Sequence, residues 1–489
     1  MKLIHQLEYL FNPRSVAVIG ASNTFGKWGF NMTMAVSNSS RERAVYPVNS
    51  SLSEILGLRA YRNIKDIPGS VDLAVITVPP RTVPLVMQDC VDKGVKTALI
   101  ASAGLGESSE EGVRIEADIV RIARSGGLRF VGPNSLGHYN GAADLCTTPW
   151  LPDLRKGPVA LVSQSGNCGT YALDLGTDMG VGFSKFISSG NEADLHTEDY
   201  IEYLAQDEET KVIAAYVEGF REARRFLNLA RKITKTKPLI ILKSGGTEAA
   251  KKAARSHTAA ISGAEDIHRA AFKQSGVIGV EKVDELVDVA GALLRQPLPR
   301  GRRVGILTAG GGFGVLATDA CEKMGLKVAA LTEATIEKLN TILPARWSHG
   351  NPVDTAAAYM ATFPCLWALM EDDNVDAILL SGVVGTGGVI PKLGELSSEM
   401  VKEIEQITRL READDMRNWD LAIERMDTSQ KPIIILSPAI PGLKNAPMFS
   451  RLQQNGMLFY PSPDRAARVL AHLVSYSEYL GVANHGYPE

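Results

Sequence analysis

The sequence predicts an α/β fold of three doubly wound domains, each built on a parallel sheet. Two observations carry this. Short β-branched runs alternate with helix-length amphipathic stretches along the whole chain, and continuous apolar strands separated by helices mark parallel sheets covered on both faces. A strand, a small-residue turn and a helix start also recur three times, at Val16–Ser22, Val159–Gly166 and Val304–Gly312. Their starts lie 143 and 145 residues apart, close to the size of one such domain. The 489 residues fit about three domains.

The first set of expected strands is Ser15–Gly20, Ala44–Val48, Leu73–Val78, Ala98–Ala101 and Phe130–Val131. The second is Val159–Ser163, Phe183–Ile187, Val212–Val217 and Pro238–Leu242; the third is Val304–Thr308, Val328–Leu331, Ala377–Leu380 and Ile433–Leu436. Thr147–Gly157, with two prolines, and Arg295–Arg303 read as linkers. The charged stretch Leu393–Gln430 reads as a helical insertion, a candidate for a subunit interface.

Composition narrows the function class. Hydrophobic residues at 45% and charged residues at 22% are ordinary for a soluble globular protein. The net charge of −3 gives no reason to expect a nucleic-acid or membrane partner. The five cysteines are scattered without CxxC spacing, as reduced thiols of a cytoplasmic protein are. Met1–Gln6 has no apolar core of signal-peptide length, and no apolar run approaches the ~20 residues of a membrane span.

The turns carry the chemistry. Gly20-Ala21-Ser22 with Lys27 follows the first strand and opens a helix, which makes an anion site of exposed N–H groups and helix dipole. It lacks GxGxxG spacing, and the second strand ends in Val48-Asn49-Ser50 with no carboxylate for a ribose diol. An NAD-dependent oxidoreductase is therefore disfavoured. Thr77-Val78-Pro79-Pro80, Ala101–Glu107 and Gly132-Pro133-Asn134 end successive strands, where open α/β sheets bind ligands. Together they suit a long ligand draped across the sheet. The turns at Ser165-Gly166 and Gly311-Gly312 each expose amides at a helix start and suit one phosphoryl group. Ser165-Gly166 is also similar to a nucleophile elbow, but Ser163 stands where Gly-x-Ser-x-Gly needs glycine. Glu218 ends a buried strand; it is either a surface carboxylate or a group that faces a histidine and raises its basicity.

His257 sits alone among small and hydroxyl residues in Ala254–Gly263. Such a ring can act as a base, bind a metal or carry a covalent group. The other seven histidines show no HxxxH or HxH pairing, so no metal site is expected.

In order and spacing these motifs resemble the α subunit of the NDP-forming acyl-CoA synthetases, relatives of succinyl-CoA synthetase. The resemblance rests on Ser15–Gly29, Pro47-Val48-Asn49, Gly132-Pro133-Asn134, Ser163–Gly166, Ser188–Glu192, Glu218, Ser256-His257-Thr258, Gly310–Gly314 and Asn351-Pro352-Val353-Asp354. It implies a Rossmann-like CoA-binding domain at 1–151, then two flavodoxin-like ligase domains at 152–298 and 299–489. It implies that His257 is transiently phosphorylated, that Glu218 orients it, and that Ser165-Gly166 and Gly311-Gly312 are the two phosphoryl cradles. Gly20, Ser22, Lys27, Asn49, Pro79, Pro80 and Asn134 fall in loops that match the CoA site.

The implied reaction is acyl-CoA plus phosphate to acyl phosphate and CoA, with the phosphoryl group passing through His257 to ADP. No stretch reads as an ATP-grasp domain, so the resemblance implies a separate β subunit that supplies ATP or ADP with Mg2+, in a heterotetramer. The substrates would be a small carboxylic acid and phosphate. The family often has glycine after the His-Thr pair, and Ala259 stands here. A non-catalytic CoA-binding regulator on the same scaffold is the alternative.

Overall fold

The computed structural model describes residues 3–39, 43–149, 154–245, 265–356, 358–381, 397–436 and 447–483. They form two compact units, Met1–Ala290 and Gly291–Glu489, and the first holds two sheets.

Its first sheet follows helix α1 (Leu3–Phe11) and is built by β1 (Ser15–Ile19), α2 (Trp28–Asn38), β2 (Ala44–Val48), β5 (Leu73–Ile76), α3 (Val83–Lys93), β6 (Thr97–Ile100), α4 (Glu110–Ser125) and β7 (Arg129–Val131); a small pair, β3 (Glu54–Ile55) and β4 (Leu58–Arg59), stands apart. The order is β2-β1-β5-β6-β7, all parallel. Strands β1, β5 and β6 are buried at every position, as expected of strands covered on both faces. The start of α4 is fixed by Ser109, whose hydroxyl accepts from Gly112 N, and by Glu110 and Glu111 in the first turn, which complement the helix dipole.

The second sheet contains β8 (Gly137–Asn140), β9 (Leu145–Cys146), β10 (Lys156–Ser163), β11 (Phe183–Ser188), β12 (Val212–Val217), β13 (Leu239–Lys243) and β14 (Ile278–Val280). Helices α5 (Gly166–Met179), α6 (Thr197–Gln206) and α7 (Ala223–Ile233) connect its middle strands. The order is β14-β13-β12-β10-β11-β8-β9. Five strands are parallel, while β8 and β9 add an antiparallel edge. That edge lies ahead of residue 151 in the chain, yet its register partner is β11: Phe186 faces Tyr139 and Ile187 faces His138. One apolar cluster runs from Leu7, Val16 and Val131 to Val162, Ile213 and Phe226, so the two sheets share a core. Phe11 stacks on Tyr203 at 5.0 Å within it.

In the second unit the sheet order is β16-β15-β18-β19-β20, formed by β15 (Arg303–Thr308), β16 (Lys327–Val328), β18 (Ala377–Ser381), β19 (Ile433–Leu436) and β20 (Phe459–Tyr460), with β17 (Val353–Asp354) also on β15. The insertion expected at Leu393–Gln430 is the helix Ser398–Ser429, capped by the Ser397 hydroxyl. Trp419, Ala422 and Met426 bury its inner face.

The three repeated strands share a topological role. β1, β10 and β15 each sit where the strand order reverses, between β2 and β5, β11 and β12, and β16 and β18. Crevices at the carboxyl ends of open α/β sheets form at such points.

Candidate active site

Six strand ends and one helix start of the first unit surround a cavity of about 630 Å3. Thr77–Pro80 follow β5, Ala101–Ala103 follow β6 and Asn134–Leu136 follow β7. Gln164–Asn167 follow β10, Gly190 and Asn191 follow β11, and Glu218 follows β12. Trp28, the first residue of α2, completes the wall.

Of the residues expected from sequence, Pro79, Pro80, Asn134, Ser165, Gly166 and Glu218 line this cavity. Gly20, Ser22, Lys27 and Asn49 lie in or beside the turn after β1 and are not among its lining residues. Their local roles are visible. Gly20 N donates to Val48 O at 3.0 Å. Asn49 donates to Ala21 O at 2.8 Å and accepts from Ser51 N and Leu52 N. The Ser22 hydroxyl accepts from Thr24 N at 3.0 Å, and Lys27 is exposed at the N-cap of α2. Gly311 and Gly312 begin the helix Gly311–Lys323 of the second unit, with Gly310 as N-cap. His257 lies outside the described residues.

At the β10 end, Ser165 is the N-cap of α5, and its Oγ accepts from Cys168 N at 3.3 Å. The hydroxyl is thus occupied as a cap, which argues for a cradle of backbone amides over a nucleophile: the first-turn N–H groups of a helix lack intrahelical partners and favour an anion. Ser163 Oγ donates to Ser165 O at 2.5 Å and holds the turn shut.

The cavity floor consists of two interlocked loops. Asn191 N donates to Pro133 O at 2.9 Å and Ala193 N to Gly132 O at 3.0 Å. Ser135 Oγ donates to Ser188 O at 2.6 Å, and Ser188 Oγ accepts from Leu136 N at 3.0 Å. Asn191 Nδ2 also reaches Glu107 and Glu116, at 2.6 and 3.1 Å. Asn134 and Glu192 hold left-handed φ angles of 59° and 54°, which non-glycine residues keep only where their surroundings impose them.

Glu218 is buried at 8% exposure. Its N–H donates to Gln164 Oε1 at 2.6 Å, and its carbonyl accepts from Lys243 Nζ at 2.7 Å. Burial lowers the Lys243 pKa, opposed by the nearby Glu218 carboxylate. Gln164, Asn191 and Lys243 were not singled out from sequence. The available signal was their position at polar strand ends, in Ser163–Gly166, Ser188–Glu192 and the turn before Gly245. Among the described residues no group of three or more His, Cys, Asp or Glu is placed to hold a metal ion, and no helix is long and apolar enough to cross a membrane.

A family model described as a CoA binding domain matches residues 14–140, and one described as a succinyl-CoA ligase like flavodoxin domain matches residues 156–293. The α subunit of acetate–CoA ligase (ADP-forming) II from Pyrococcus furiosus is 39% identical over 98% of this chain and 100% of its own length. The chain belongs to the ADP-forming acetate–CoA ligase family. A solved structure of a dinucleotide-forming acetyl-coenzyme A synthetase from Ca. Korarchaeum cryptofilum, in complex with phosphate and ADP, is similar with a TM-score of 0.83 and 31% identity over 99% of both chains. An ADP-forming acetate–CoA ligase of Methanocaldococcus jannaschii is 41% identical over 72% of this chain and 49% of its own length. Within this ligase family architecture, the CoA-binding match covers β1 to β8 and the flavodoxin-like match covers β10 to β14. The cavity is lined from both.

Proposed function

We propose that this chain is the α subunit of an ADP-forming acid–CoA ligase. The observation that carries the reading is the cavity that unites an α-helix N-terminus at Ser165-Gly166, a buried carboxylate at Glu218 and the proline-lined end of β5. The apolar wall of Val78, Pro79, Pro80 and Ala101 suits the thioester arm of CoA. Gly20, Ser22, Lys27 and Asn49 shape and flank the turn that holds the rest of it, and Asn134 meets it at the floor. Phosphate attacks the acyl carbonyl at the amide cradle. The C–S bond breaks, and acyl phosphate and CoA thiol result. The His257 imidazole then takes the phosphoryl group, the carboxylate leaves, and Glu218 holds the ring oriented. Each of the cradles, at Ser165-Gly166 and at Gly311-Gly312, offers fixed dipoles to a phosphoryl dianion, and phosphoryl transfer depends on such dipoles more than on covalent help.

ADP and Mg2+ are bound by a partner, an ATP-grasp β subunit in an α2β2 assembly. The naming of the Pyrococcus relative as a subunit and the greater length of the Methanocaldococcus relative support a second component. The domain limits 1–151, 152–298 and 299–489 remain our division of the chain.

The test is phosphorylation. The complex is purified with its native partner, given labelled ATP and Mg2+, and compared with His257→Ala. Acid-labile, alkali-stable label on the wild type and its loss in the variant is the expected result. An unlabelled wild type in a partner-complete enzyme would favour the non-catalytic CoA-binding regulator.

A further inference from the structure

The turn after β11 carries a carboxylate that the reaction scheme leaves idle. Glu192 is 2% exposed and sits in the left-handed φ region. Three donors converge on it. Ser189 Oγ and Thr197 Oγ1 donate to Oε1 at 2.7 and 2.5 Å, and Gln164 Nε2 donates to Oε2 at 2.9 Å.

Gln164 is itself fully engaged. Its Nε2 also donates to Gly219 O at 2.8 Å, while its Oε1 accepts from Glu218 N at 2.6 Å and Gly219 N at 3.1 Å. Two acceptors on one side and two peptide donors on the other permit a single orientation of the amide. Rotating it would set donors against donors directly behind Glu218.

The same carboxylate is tied to the cradle. Ser189 N donates to Ser163 O at 2.8 Å, and Ser189 Oγ reaches that oxygen at 3.3 Å. The ends of β10, β11 and β12 are thus held together by one buried carboxyl group. Burying a carboxyl is unfavourable unless donors surround it, and these donors lead to the two parts of the site that handle phosphate.

We propose that Glu192 is a positioning residue for phosphoryl transfer, fixing through Gln164 the Glu218–Gly219 peptide against the amide cradle at Ser165-Gly166. This rests on the function proposed above. A hydrophobic side chain at 192 removes one of the two acceptors of Gln164 Nε2 and leaves Gly219 O as the other. Glutamine keeps both: its carbonyl accepts from Gln164, and its amide N–H groups face two hydroxyls that can accept.

The experiment uses the partner-complete enzyme and measures label on the chain from labelled ATP, acyl-CoA turnover and melting temperature. For Glu192→Leu, kcat falls about 100-fold, the size of effect that misplacement by about 1 Å produces, while the KM for CoA is unchanged. Glu192→Gln recovers most of the lost kcat. Gln164→Leu, which leaves the two hydroxyl partners of Glu192 in place, gives the same kcat loss and keeps the inference testable if Glu192→Leu does not fold. Wild-type kcat in folded Glu192→Leu or Gln164→Leu overturns the inference. So does an equal loss for Glu192→Gln and Glu192→Leu that follows melting temperature alone. A wild type that takes no label overturns the functional reading as well, and is thereby distinguished from labelled wild type with indifferent variants.

Discussion

Gly190→Ala should open the cavity floor. Gly190 has a φ of +62°, and a Cβ there would lie 2.2 Å from Pro133 O and 2.8 Å from Asn134 O. A carbon and a carbonyl oxygen approach to about 3.3 Å at closest, so the loops must part by roughly 1 Å. That stretches the bonds from Asn191 N to Pro133 O, 2.9 Å, and from Ala193 N to Gly132 O, 3.0 Å, beyond useful length. Left-handed backbone costs alanine roughly 1–2 kcal/mol, and overpacking adds about 1–3 kcal/mol. A combined effect of about 3 kcal/mol is roughly a hundredfold in an opening equilibrium. Hydrogen exchange of peptides spanning 132–136 and 188–195 reads this locally, and calorimetry with CoA reads the effect on binding. Both peptides should exchange faster and CoA should bind more weakly. Gly26→Ala is the control: Gly26 has a φ of +84° but nothing within 4 Å of the added Cβ, so it carries only the backbone cost and leaves both peptides protected. Wild-type protection of these peptides in Gly190→Ala would refute the interlock.

Two further predictions concern pH. His138 is fully buried; its Nε2 donates to Leu10 O at 2.8 Å, and its Nδ1 faces the Thr147 hydroxyl at 2.9 Å. Burial holds its pKa down to about 4, against 6.5 for a free ring. The neutral folded form is favoured, so the stability it contributes is complete above pH 6.5 and is lost as pH falls toward 4, by roughly 3 kcal/mol in all. Urea midpoints of wild type against His138→Gln should diverge over that window, and parallel profiles would contradict it. Glu192 has the opposite sign. Burial pushes its pKa up to about 7, reinforced by Glu198 and opposed by the Thr197 and Ser189 hydroxyls, from an ordinary value of 4.5; Tyr200 also lies beside it. Its contribution is favourable below pH 4.5 and is lost as pH rises through 7, so Glu192→Gln should gain up to roughly 3 kcal/mol on wild type between pH 5 and 8. A difference between the two proteins that is the same at pH 5 and pH 8 would show that this carboxyl does not titrate between them.

The sheets were legible because β1, β10 and β15 are apolar runs followed by small residues, a pattern that needs no partner to be seen. The strands that escaped notice are short, or polar for reasons far away in the chain. His138 and Asn140 of β8 are buried because they reach Leu10 O and Phe11 O, and no local pattern announces such partners. β17 and β20 have two residues each, too few for any periodicity. In the site, Ser165, Gly166 and Glu218 were visible as strand ends. Ser22 bonds to its own loop and Asn49 to its own loop and to Ala21 of the neighbouring turn, and turn-building and ligand-binding draw on the same residue types. Gln164 and Glu192 have no distinct sequence signature, because their meaning arises only where three strand ends converge.

That convergence is itself an argument for function. Asn134 and Glu192 keep left-handed backbone, Glu192 buries a carboxyl, and Lys243 half-buries an amine beside Glu218. Each choice lowers stability relative to an available substitute, glycine for the two backbones and a neutral side chain for the two charges. Scattered over the surface such features would mean little. Gathered at one cavity, Asn134 in its lining and Glu192 and Lys243 bonded to the lining residues Gln164 and Glu218, they are the local conflicts that folded proteins retain where geometry serves chemistry. A variant that relieves the buried charge but keeps the hydrogen-bonded geometry should therefore gain stability and keep most of its turnover, and Glu192→Gln at pH 8 is the place where the gain is large enough to measure.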